Sequence, residues 1–287
     1  MPRQRIVETW TDPGGTTFRL MGWPSPVESR DLLLVHHGLG EHIGRYDALV
    51  EGLGDLPVHV WGYDCRGHGE TEGPKGDVGG FPELGADLGV MLPVLKARAG
   101  ADRVVVFGHS MGGTAVSWFL VDQGPRLDAS VVGAVVCAPA VKIHQTPAIR
   151  IKLLIARVMN RIAPKMTIAN EIDPQTISSI PEEVKRYVDD PLVHDRISFR
   201  LGLSFVDDVE GIVQRASDVR VPVLLFHGVD DGLVDIEGTR ELAAALPDAR
   251  LNELAGCRHE CHHDAGRDGM FAALRAWLEE RLAAPKA

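Results

Sequence analysis

A serine between two glycines is the clearest chemical signal in the chain. The segment GHSMG, residues 108–112, follows the G-x-S-x-G pattern with Ser110 at its centre. Glycines on both sides suit a sharp strand-to-helix turn that lifts a serine hydroxyl above a sheet. An apolar strand-like run at 103–107 precedes the segment, and a helix-compatible run at 111–120 follows it. We therefore predict that Ser110 is a nucleophile for acyl transfer; the alternative is a glycine-rich turn whose serine caps a helix.

Such a nucleophile needs backbone N–H groups that bind the negatively charged oxygen of the transition state. One donor comes from the residue after the serine, here Met111, and the other from the loop after an earlier strand. That loop is expected in VHHGLGEHIGRYDAL, which begins at residue 35. Gly38 and Gly40 allow its main chain to turn back toward the serine, so we predict that Leu39 supplies the second N–H.

A carboxylate that orients the catalytic base is expected after the strand-like run VPVLLFHG, which begins at residue 221. Three aspartates follow this run, at positions 230, 231 and 235. An acid three residues past the strand-ending Gly228 would reach back over the sheet, which favours Asp231. Asp230 is the alternative, and the reach of each carboxylate to the base discriminates between them.

The segment AGCRHECHHD, residues 255–264, contains three histidines and two cysteines. It follows ARLNEL, a predicted last strand, and precedes the closing helix. His259 lies three residues past Gly256, in the loop between these elements, so we predict that it is the base. His262 and His263 come later, and we expect both at the surface.

The same segment also allows a metal-binding interpretation. Cys257, His259 and Cys261 are chemically suitable zinc ligands, but their spacing lacks the paired C-x-x-C motif of a strong site. A catalytic triad also explains Ser110 and Asp231, whereas zinc explains neither. We therefore predict a reaction that requires no metal and no organic cofactor.

These residues must be positioned by an α/β fold. Apolar runs begin at residues 31, 58, 103, 130 and 221, separated by amphipathic stretches of helical length. Continuous apolar strands are typical of a parallel sheet covered on both faces. Between residues 139 and 216 no core strand is predicted, only helical pieces punctuated by prolines. We expect a core domain formed by 1–138 and 217–287, and a cap inserted at 139–216.

Composition excludes several classes of protein. The 287 residues carry 40 acidic and 30 basic side chains, a net charge of -10, so no overall positive field would attract nucleic acid. The N-terminus lacks the apolar core of a secretory signal, and the longest apolar run, 129–141, falls short of a bilayer span. We expect a soluble, cytoplasmic protein. The composition leaves its oligomeric state open.

The chain resembles the monoacylglycerol lipase family of α/β hydrolases, which is related to bacterial lysophospholipases and small esterases. Five segments carry the resemblance: HGLGEHIGRY (37–46), YDCRGHGETEG (63–73), GHSMGG (108–113), HGVDDGLV (227–234) and GCRHE (256–260). Two features depart from the family pattern, the doubled histidine at 36–37 and the CHHD that follows His259.

The resemblance implies roles for the candidate residues. Ser110, Asp231 and His259 would be the catalytic triad. Leu39 and Met111 would form the oxyanion hole, and the 139–216 insertion would be a cap that lines an acyl-chain tunnel. Other polar residues of the matching segments, together with the doubled histidine, are expected to be structural: His36, His37, Asp64, Arg66 and His68.

The implied reaction is hydrolysis of a monoacylglycerol ester through an acyl-enzyme intermediate. Within enzymes, the alternatives are a lysophospholipase or a broad short-chain carboxylesterase, and then an aminopeptidase of the same fold. A non-catalytic binding protein of this fold is a further alternative, but an intact serine, aspartate and histidine in this order argue against it.

The predicted cap begins with a basic, apolar segment. From Val141 to Asn170 there are six lysines and arginines and no acidic residue. Interleaved with them is a helix-compatible apolar set: Ile149, Leu153, Ile155, Val158, Met159 and Ile162. Either this helix covers the pocket while its cations are solvated, or its apolar face contacts lipid surfaces with the cations near anionic headgroups.

Overall fold

The computed structural model of the protein describes residues 3–142 and 147–283. In this part of the chain, eight strands form one mixed sheet with the order β1-β2-β4-β3-β5-β6-β9-β10. They are β1 (Ile6–Thr11), β2 (Thr17–Trp23), β3 (Asp31–His36), β4 (His59–Tyr63), β5 (Arg103–His109), β6 (Val131–Cys137), β9 (Val223–Gly228) and β10 (Ala249–Leu254). β2 pairs antiparallel with β1 and β4, and all other neighbours are parallel. The predicted α/β fold with a mostly parallel sheet is confirmed.

Helices cover both faces of the sheet. They are α1 (Asp47–Gly52), α2 (Phe81–Ala99), α3 (Met111–Gln123), α4 (Pro147–Ile162), α5 (Pro181–Asp189), α6 (Phe199–Asp207), α7 (Glu210–Gln214), α8 (Ile236–Ala245) and α9 (Arg267–Ala283). Along β3, Leu32 and Leu34 belong to the core that also contains residues of α2, α3 and α8, whereas Leu33 and Val35 belong to the core that contains residues of α1 and α9. Successive side chains of a strand point to opposite faces, so each apolar strand serves two cores.

The N-terminal hairpin of β1 and β2 is not predicted by the continuous apolar runs. β1 reads IVETWT and lies at the edge of the sheet, where most of its side chains are exposed or half-buried. An edge strand buries little surface and therefore needs no apolar run.

The described part of 139–216 contributes no strand to the central sheet. It contains helices α4 to α7 and a separate antiparallel ribbon of β7 (Thr167–Ala169) and β8 (Arg196–Ser198). The exact bounds of a cap remain a prediction.

None of the helices in the described residues is long and apolar enough to cross a bilayer.

The turn after β4 fixes the loop that precedes α1. The Asp64 carboxylate accepts hydrogen bonds from the backbone N–H groups of Ile43 and Glu70, both at 2.9 Å. The Arg66 guanidinium donates two hydrogen bonds of 2.8 Å to Asp87. These contacts connect the turn to the loop before α1 and to helix α2, which agrees with the structural role predicted for Asp64 and Arg66.

Candidate active site

The chain turns sharply at Ser110, which lies alone between the end of β5 and the start of α3. Its backbone has φ 52° and ψ −119°, a conformation that costs free energy for a residue with a side chain. A Cβ added to Gly108 would lie 2.3 Å from the carbonyl oxygen of Gly112, and one added to Gly112 would lie 2.3 Å from that of His36. The spacing of the two glycines is therefore imposed by close backbone packing around the serine.

Asp231 is the aspartate that contacts the predicted base. Its Oδ2 lies 2.8 Å from Nδ1 of His259, and its side chain is buried. Asp230 is exposed, and Asp235 accepts a hydrogen bond from the backbone N–H of Glu237 at the start of α8. The geometry thus favours Asp231 over the alternative at 230.

The Asp231 carboxylate is held by four donors. Oδ1 accepts the backbone N–H groups of Leu233 at 2.8 Å and Val234 at 3.0 Å. Oδ2 lies 3.1 Å from Nε2 of His227 in addition to its contact with His259. Burial alone would raise the pKa of this carboxyl, but the charge and hydrogen bonds of the two histidines outweigh burial and lower it. Asp231 is therefore ionised at neutral pH.

His227 is a positioning residue that the sequence patterns do not single out. It is the penultimate residue of β9, directly before Gly228, inside the matching segment HGVDDGLV. Its Nε2 faces two acceptors, Asp231 and the carbonyl oxygen of Val234 at 3.3 Å, so this nitrogen carries the proton. Its Nδ1 lies 2.7 Å from the hydroxyl of Thr239. A histidine four residues before the acid is the only sequence signal for this contact.

His259 is buried next to Asp231, and its loop is attached to the 174–178 segment. The backbone N–H of Glu260 donates to the carbonyl of Ile177 at 2.8 Å, and the Arg258 guanidinium donates to that of Gln175 at 2.6 Å. Burial would lower the pKa of His259, but the charge and hydrogen bond of Asp231 raise it above the ordinary value of 6.5. The aspartate thus makes this imidazole a stronger base.

A buried ion network joins the two loops on either side of the serine. Nη1 of Arg45 donates to Glu41 at 2.9 Å and to Glu260 at 2.6 Å, and its Nη2 donates to Glu260 at 2.7 Å. Glu41 also accepts the backbone N–H of Gly38 at 2.6 Å. Burial would raise the pKa of Glu260, but Arg45 and His263 keep it well below its usual range. This network explains why a glutamate and an arginine accompany the oxyanion-loop glycines in HGLGEHIGRY.

The prediction that His262 and His263 are surface residues is wrong. Both are buried, at 0% and 5% exposure. The short 3-10 helix Cys261–His263 packs against the core, where His262 stacks on Tyr46 with ring centroids 5.1 Å apart. His263 lies 2.9 Å from both Glu260 and the carbonyl oxygen of Arg45. Polar composition suggested exposure, but stacking and hydrogen bonds stabilise these rings inside the protein.

Ser110, His259 and Leu39 line one small cavity. Its other lining residues either end or follow strands of the central sheet or belong to 139–216. The covering side chains are Ile172, Ile177, Tyr187 and Leu233. The cavity has a volume of about 20 Å³, which is room for roughly one water molecule. The cavity in this structure is therefore too small to hold an ester substrate.

Of the two predicted oxyanion-hole residues, Leu39 lines this cavity, and Met111 directly follows Ser110, which also lines it. Met111 is the first residue of α3, so its N–H has no acceptor within that helix. Leu39 follows Gly38, whose N–H is fixed by Glu41. The cysteines of the predicted metal set, Cys257 and Cys261, are buried free thiols, while Nδ1 of His259 is bound to Asp231. The alternative zinc set of Cys257, His259 and Cys261 is thus less consistent with this geometry than a triad.

Comparisons with known proteins match almost the whole chain. The family model described as serine aminopeptidase, S33, matches residues 27–266. A monoacylglycerol lipase of Mycolicibacterium smegmatis is 26% identical over 281 residues, which cover 97% of this chain and 98% of that protein. A monoglyceride lipase of Rattus norvegicus is 28% identical over 266 residues, which cover 91% and 86%.

Solved structures give the same result. A crystal structure of a Paleococcus ferrophilus monoacylglycerol lipase has a TM-score of 0.81 and 32% identity, and the match covers 96% of this chain and 99% of that one. One further relative was found by sequence and is much longer than this chain. It is an abhydrolase domain-containing protein of Dictyostelium discoideum, 27% identical over 272 residues, and this chain spans only 28% of its length.

The buried network predicts a large effect of Arg45→Met. This change leaves Glu41 and Glu260 buried without a counter-charge, so we expect a loss of about 3–5 kcal/mol in the free energy of unfolding, measured with urea. Arg240→Met is the matched control, because Arg240 is exposed and pairs with two glutamates; we expect about 1 kcal/mol or less. Equal effects of the two changes would contradict a structural role for the Arg45 network.

The raised pKa of His259 predicts the pH profile of kcat/KM. A general base acts only when unprotonated, so activity should rise with pH through a midpoint above about 6.5. Asp231→Asn removes the charge that raises this pKa, and we expect a lower midpoint and a loss of turnover on the order of 10⁴. Asp230→Asn is the control and should stay within a few-fold of the parent. A flat profile from pH 5 to 8, or a larger loss from Asp230→Asn, would refute the assignment.

Proposed function

The chain belongs to the serine aminopeptidase S33 family of α/β hydrolases, and we propose from this premise that it hydrolyses monoacylglycerols to fatty acid and glycerol. The relatives from Mycolicibacterium smegmatis and Rattus norvegicus, and the solved structure at 32% identity, carry this activity in their names. The observation that carries the proposal is the 2.8 Å contact between Asp231 and His259 beside a cavity that Ser110 also lines. The predicted resemblance to monoacylglycerol lipases is confirmed by the comparisons.

The proposed reaction has two steps. His259 takes the hydroxyl proton of Ser110 as the serine oxygen bonds to the ester carbonyl carbon, and the same imidazole then gives that proton to the leaving glycerol oxygen. In the second step, water loses a proton to His259 and attacks the acyl-enzyme, which releases the fatty acid and restores the serine hydroxyl. Asp231 holds the imidazole with Nδ1–H toward its carboxylate, so that Nε2 is the basic nitrogen.

We assign the oxyanion hole to the backbone amides of Leu39 and Met111. Support comes from two features: the amide of Met111 is at the N-terminus of α3, where the helix has free N–H groups, and the chain preceding Leu39 is fixed by the hydrogen bond from Gly38 to Glu41. Both donors are backbone groups, so side-chain substitution at either position should disturb the hole less than a change of backbone conformation.

We further propose that residues 139–216 act as a cap that opens for substrate. The closed cavity is too small for an acyl chain, and Ile172, Ile177 and Tyr187 of this segment cover it. The loop with His259 is hydrogen-bonded to Thr176 and Ile177, so that part of the cap should stay with the core. Opening would therefore displace Ile172 and Tyr187 while Ile177 stays in place.

The activity test uses purified protein and a panel of monoacylglycerols, lysophospholipids, p-nitrophenyl esters and an aminoacyl amide. We expect the highest kcat/KM with a monoacylglycerol, and a loss of roughly four to six orders of magnitude in Ser110→Ala, since triad members act as a unit.

The same panel identifies the alternatives. A preference for lysophospholipids or short p-nitrophenyl esters would replace the proposed substrate but keep the serine mechanism. Ser117→Ala is the matched control, because Ser117 is a buried serine of α3 whose hydroxyl bonds to Gly113. If Ser110→Ala retains more than a few per cent of parent activity, the nucleophile assignment is wrong.

An exposed apolar face on α4 supports a second element of the proposal, contact with lipid surfaces. Five side chains along one side of the helix are 53–73% exposed: Ile151, Leu154, Ile155, Val158 and Ile162. Leu153 and Met159 are half-buried on the other side. The apolar residues predicted from the sequence to form one face of this helix are therefore divided between an exposed and a half-buried face. The exposed face also contains Ile151 and Leu154, which that prediction did not include. Ile149 is one of the predicted residues, but its side chain lies outside the described residues.

Two cations of α4 form ion pairs, in contrast to the interpretation in which the cations of this helix are only solvated. Lys152 pairs with Glu171, and Arg157 pairs with Asp207 at 2.6 Å. The side chain of Arg150 lies outside the described residues. Exposed ion pairs contribute little, about 1 kcal/mol or less, so these cations remain able to exchange partners. We propose that the apolar face enters the lipid interface while Arg157 and Arg161 approach anionic headgroups.

The lipid-surface proposal predicts that the apolar face, more than the cations, determines binding. The double change Leu154→Gln and Val158→Gln should abolish sedimentation with anionic liposomes but leave hydrolysis of a soluble short-chain ester at the parent rate. The control variant carries Val27→Gln and Val90→Gln. These two valines lie outside 139–216 and are 53% and 43% exposed, so this variant should bind as the parent does. A parent protein that stays in the supernatant at every salt and lipid composition contradicts the proposal.

A further inference from the structure

Three potential metal ligands meet beneath the nucleophile. His109 ends β5, Cys137 ends β6, and these two residues are paired in the parallel register of the sheet. His262 approaches from the 3-10 helix Cys261–His263. One ligand atom from each lies within 4.8 Å of the other two, and all three residues are buried. None of the three belongs to the proposed triad or oxyanion hole.

The two imidazoles have nitrogen atoms without partners. Both ring nitrogens of His262 and Nδ1 of His109 are buried and make no hydrogen bond among the described residues. Their rings pack edge to face with centroids 5.0 Å apart. An unsatisfied buried polar group costs about 1–3 kcal/mol, so unpaired nitrogens at this density call for an explanation. The stacking of His262 on Tyr46 uses the ring face and satisfies neither nitrogen.

We propose that His109, Cys137 and His262 form a binding site for Zn²⁺. Two imidazole nitrogens and one sulfur are the donor set that this borderline-soft ion prefers. Ligand atoms at the usual distances of about 2.0–2.3 Å from zinc lie roughly 3.5 Å from one another, so small rotations of these side chains would complete the site. Sequence spacing alone does not reveal the site, because its ligands come from three separate segments.

Binding is balanced by release of one proton. Cys137 gives its thiol proton to solvent and binds the ion as a thiolate, while both imidazoles bind as neutral ligands. The bound ion and thiolate then carry one net positive charge.

One ligand of this site also borders the catalytic cavity, so zinc would approach when the cover of that cavity opens. His109 lines that cavity together with Ser110 and His259. No triad residue is a ligand. The proposed hydrolysis therefore needs no zinc, and a test of binding is independent of the proposed substrate.

The experiment measures binding to full-length protein that has been freed of metal with a chelator. We expect one equivalent of Zn²⁺ per chain after dialysis, detected by elemental analysis. Co²⁺, a spectroscopic substitute for zinc, should give a sulfur-to-metal charge-transfer band that free Zn²⁺ abolishes. Cys137→Ala should remove this band and weaken Zn²⁺ binding by more than roughly 100-fold, which is the upper range for loss of an outer-sphere partner.

The control is Cys65→Ala, which removes another fully buried thiol, from the opposite core. It should keep both the band and the one-to-one stoichiometry. His262→Gln is the second ligand variant and should weaken Zn²⁺ binding while keeping a sulfur-to-cobalt band. Absence of the band in the unaltered protein, less than a fifth of an equivalent of bound zinc, or a band that persists in Cys137→Ala would each overturn the proposal.

Discussion

The arrangement of the site depends on one buried arginine. Arg45 lies between Glu41, which holds the proposed oxyanion loop through Gly38, and Glu260, which adjoins the proposed catalytic base His259. Two loops that are 215 residues apart in the chain are thereby fixed to one guanidinium group. Buried charges tolerate little displacement, because each partner lost leaves an uncompensated charge in a medium of low dielectric constant. The network therefore supplies positional accuracy to atoms that must meet at the ester carbonyl.

The rest of the site follows the same physical pattern, in which each candidate reacting group is held in place by its neighbours. Ser110 is held in a costly backbone conformation by close packing of the glycines around it, and Asp231 is held by two amides and two imidazoles. Preorganised groups of this kind do not have to reorient during the reaction. The closed cavity assigns the remaining conformational change to the segment above it. An exposed apolar helix in that segment is consistent with opening at a lipid surface.

The sequence predicts the chemically constrained parts of this molecule well. The apolar runs predict the parallel strands because each is buried on two faces, and the glycines around Ser110 predict the turn because no Cβ fits there. Asp231 is correctly preferred over Asp230 as the residue that contacts His259, because an acid three residues past Gly228 can reach back over the sheet. His227 and the buried positions of His262 and His263 are missed, because polar residues are recognised as buried only when their distant partners are known. The same reason hides the convergence of His109, Cys137 and His262.

The central claim is that a nucleophile at Ser110, the base His259 and the amides of Leu39 and Met111 form one acyl-transfer site. A crystal structure of the protein after reaction with an alkyl phosphonate ester tests it most directly. The account predicts a covalent bond from Oγ of Ser110 to phosphorus, with one phosphonyl oxygen about 2.7–3.1 Å from both amide nitrogens. Modification of another residue, or a phosphonyl oxygen that points away from both amides, would contradict it.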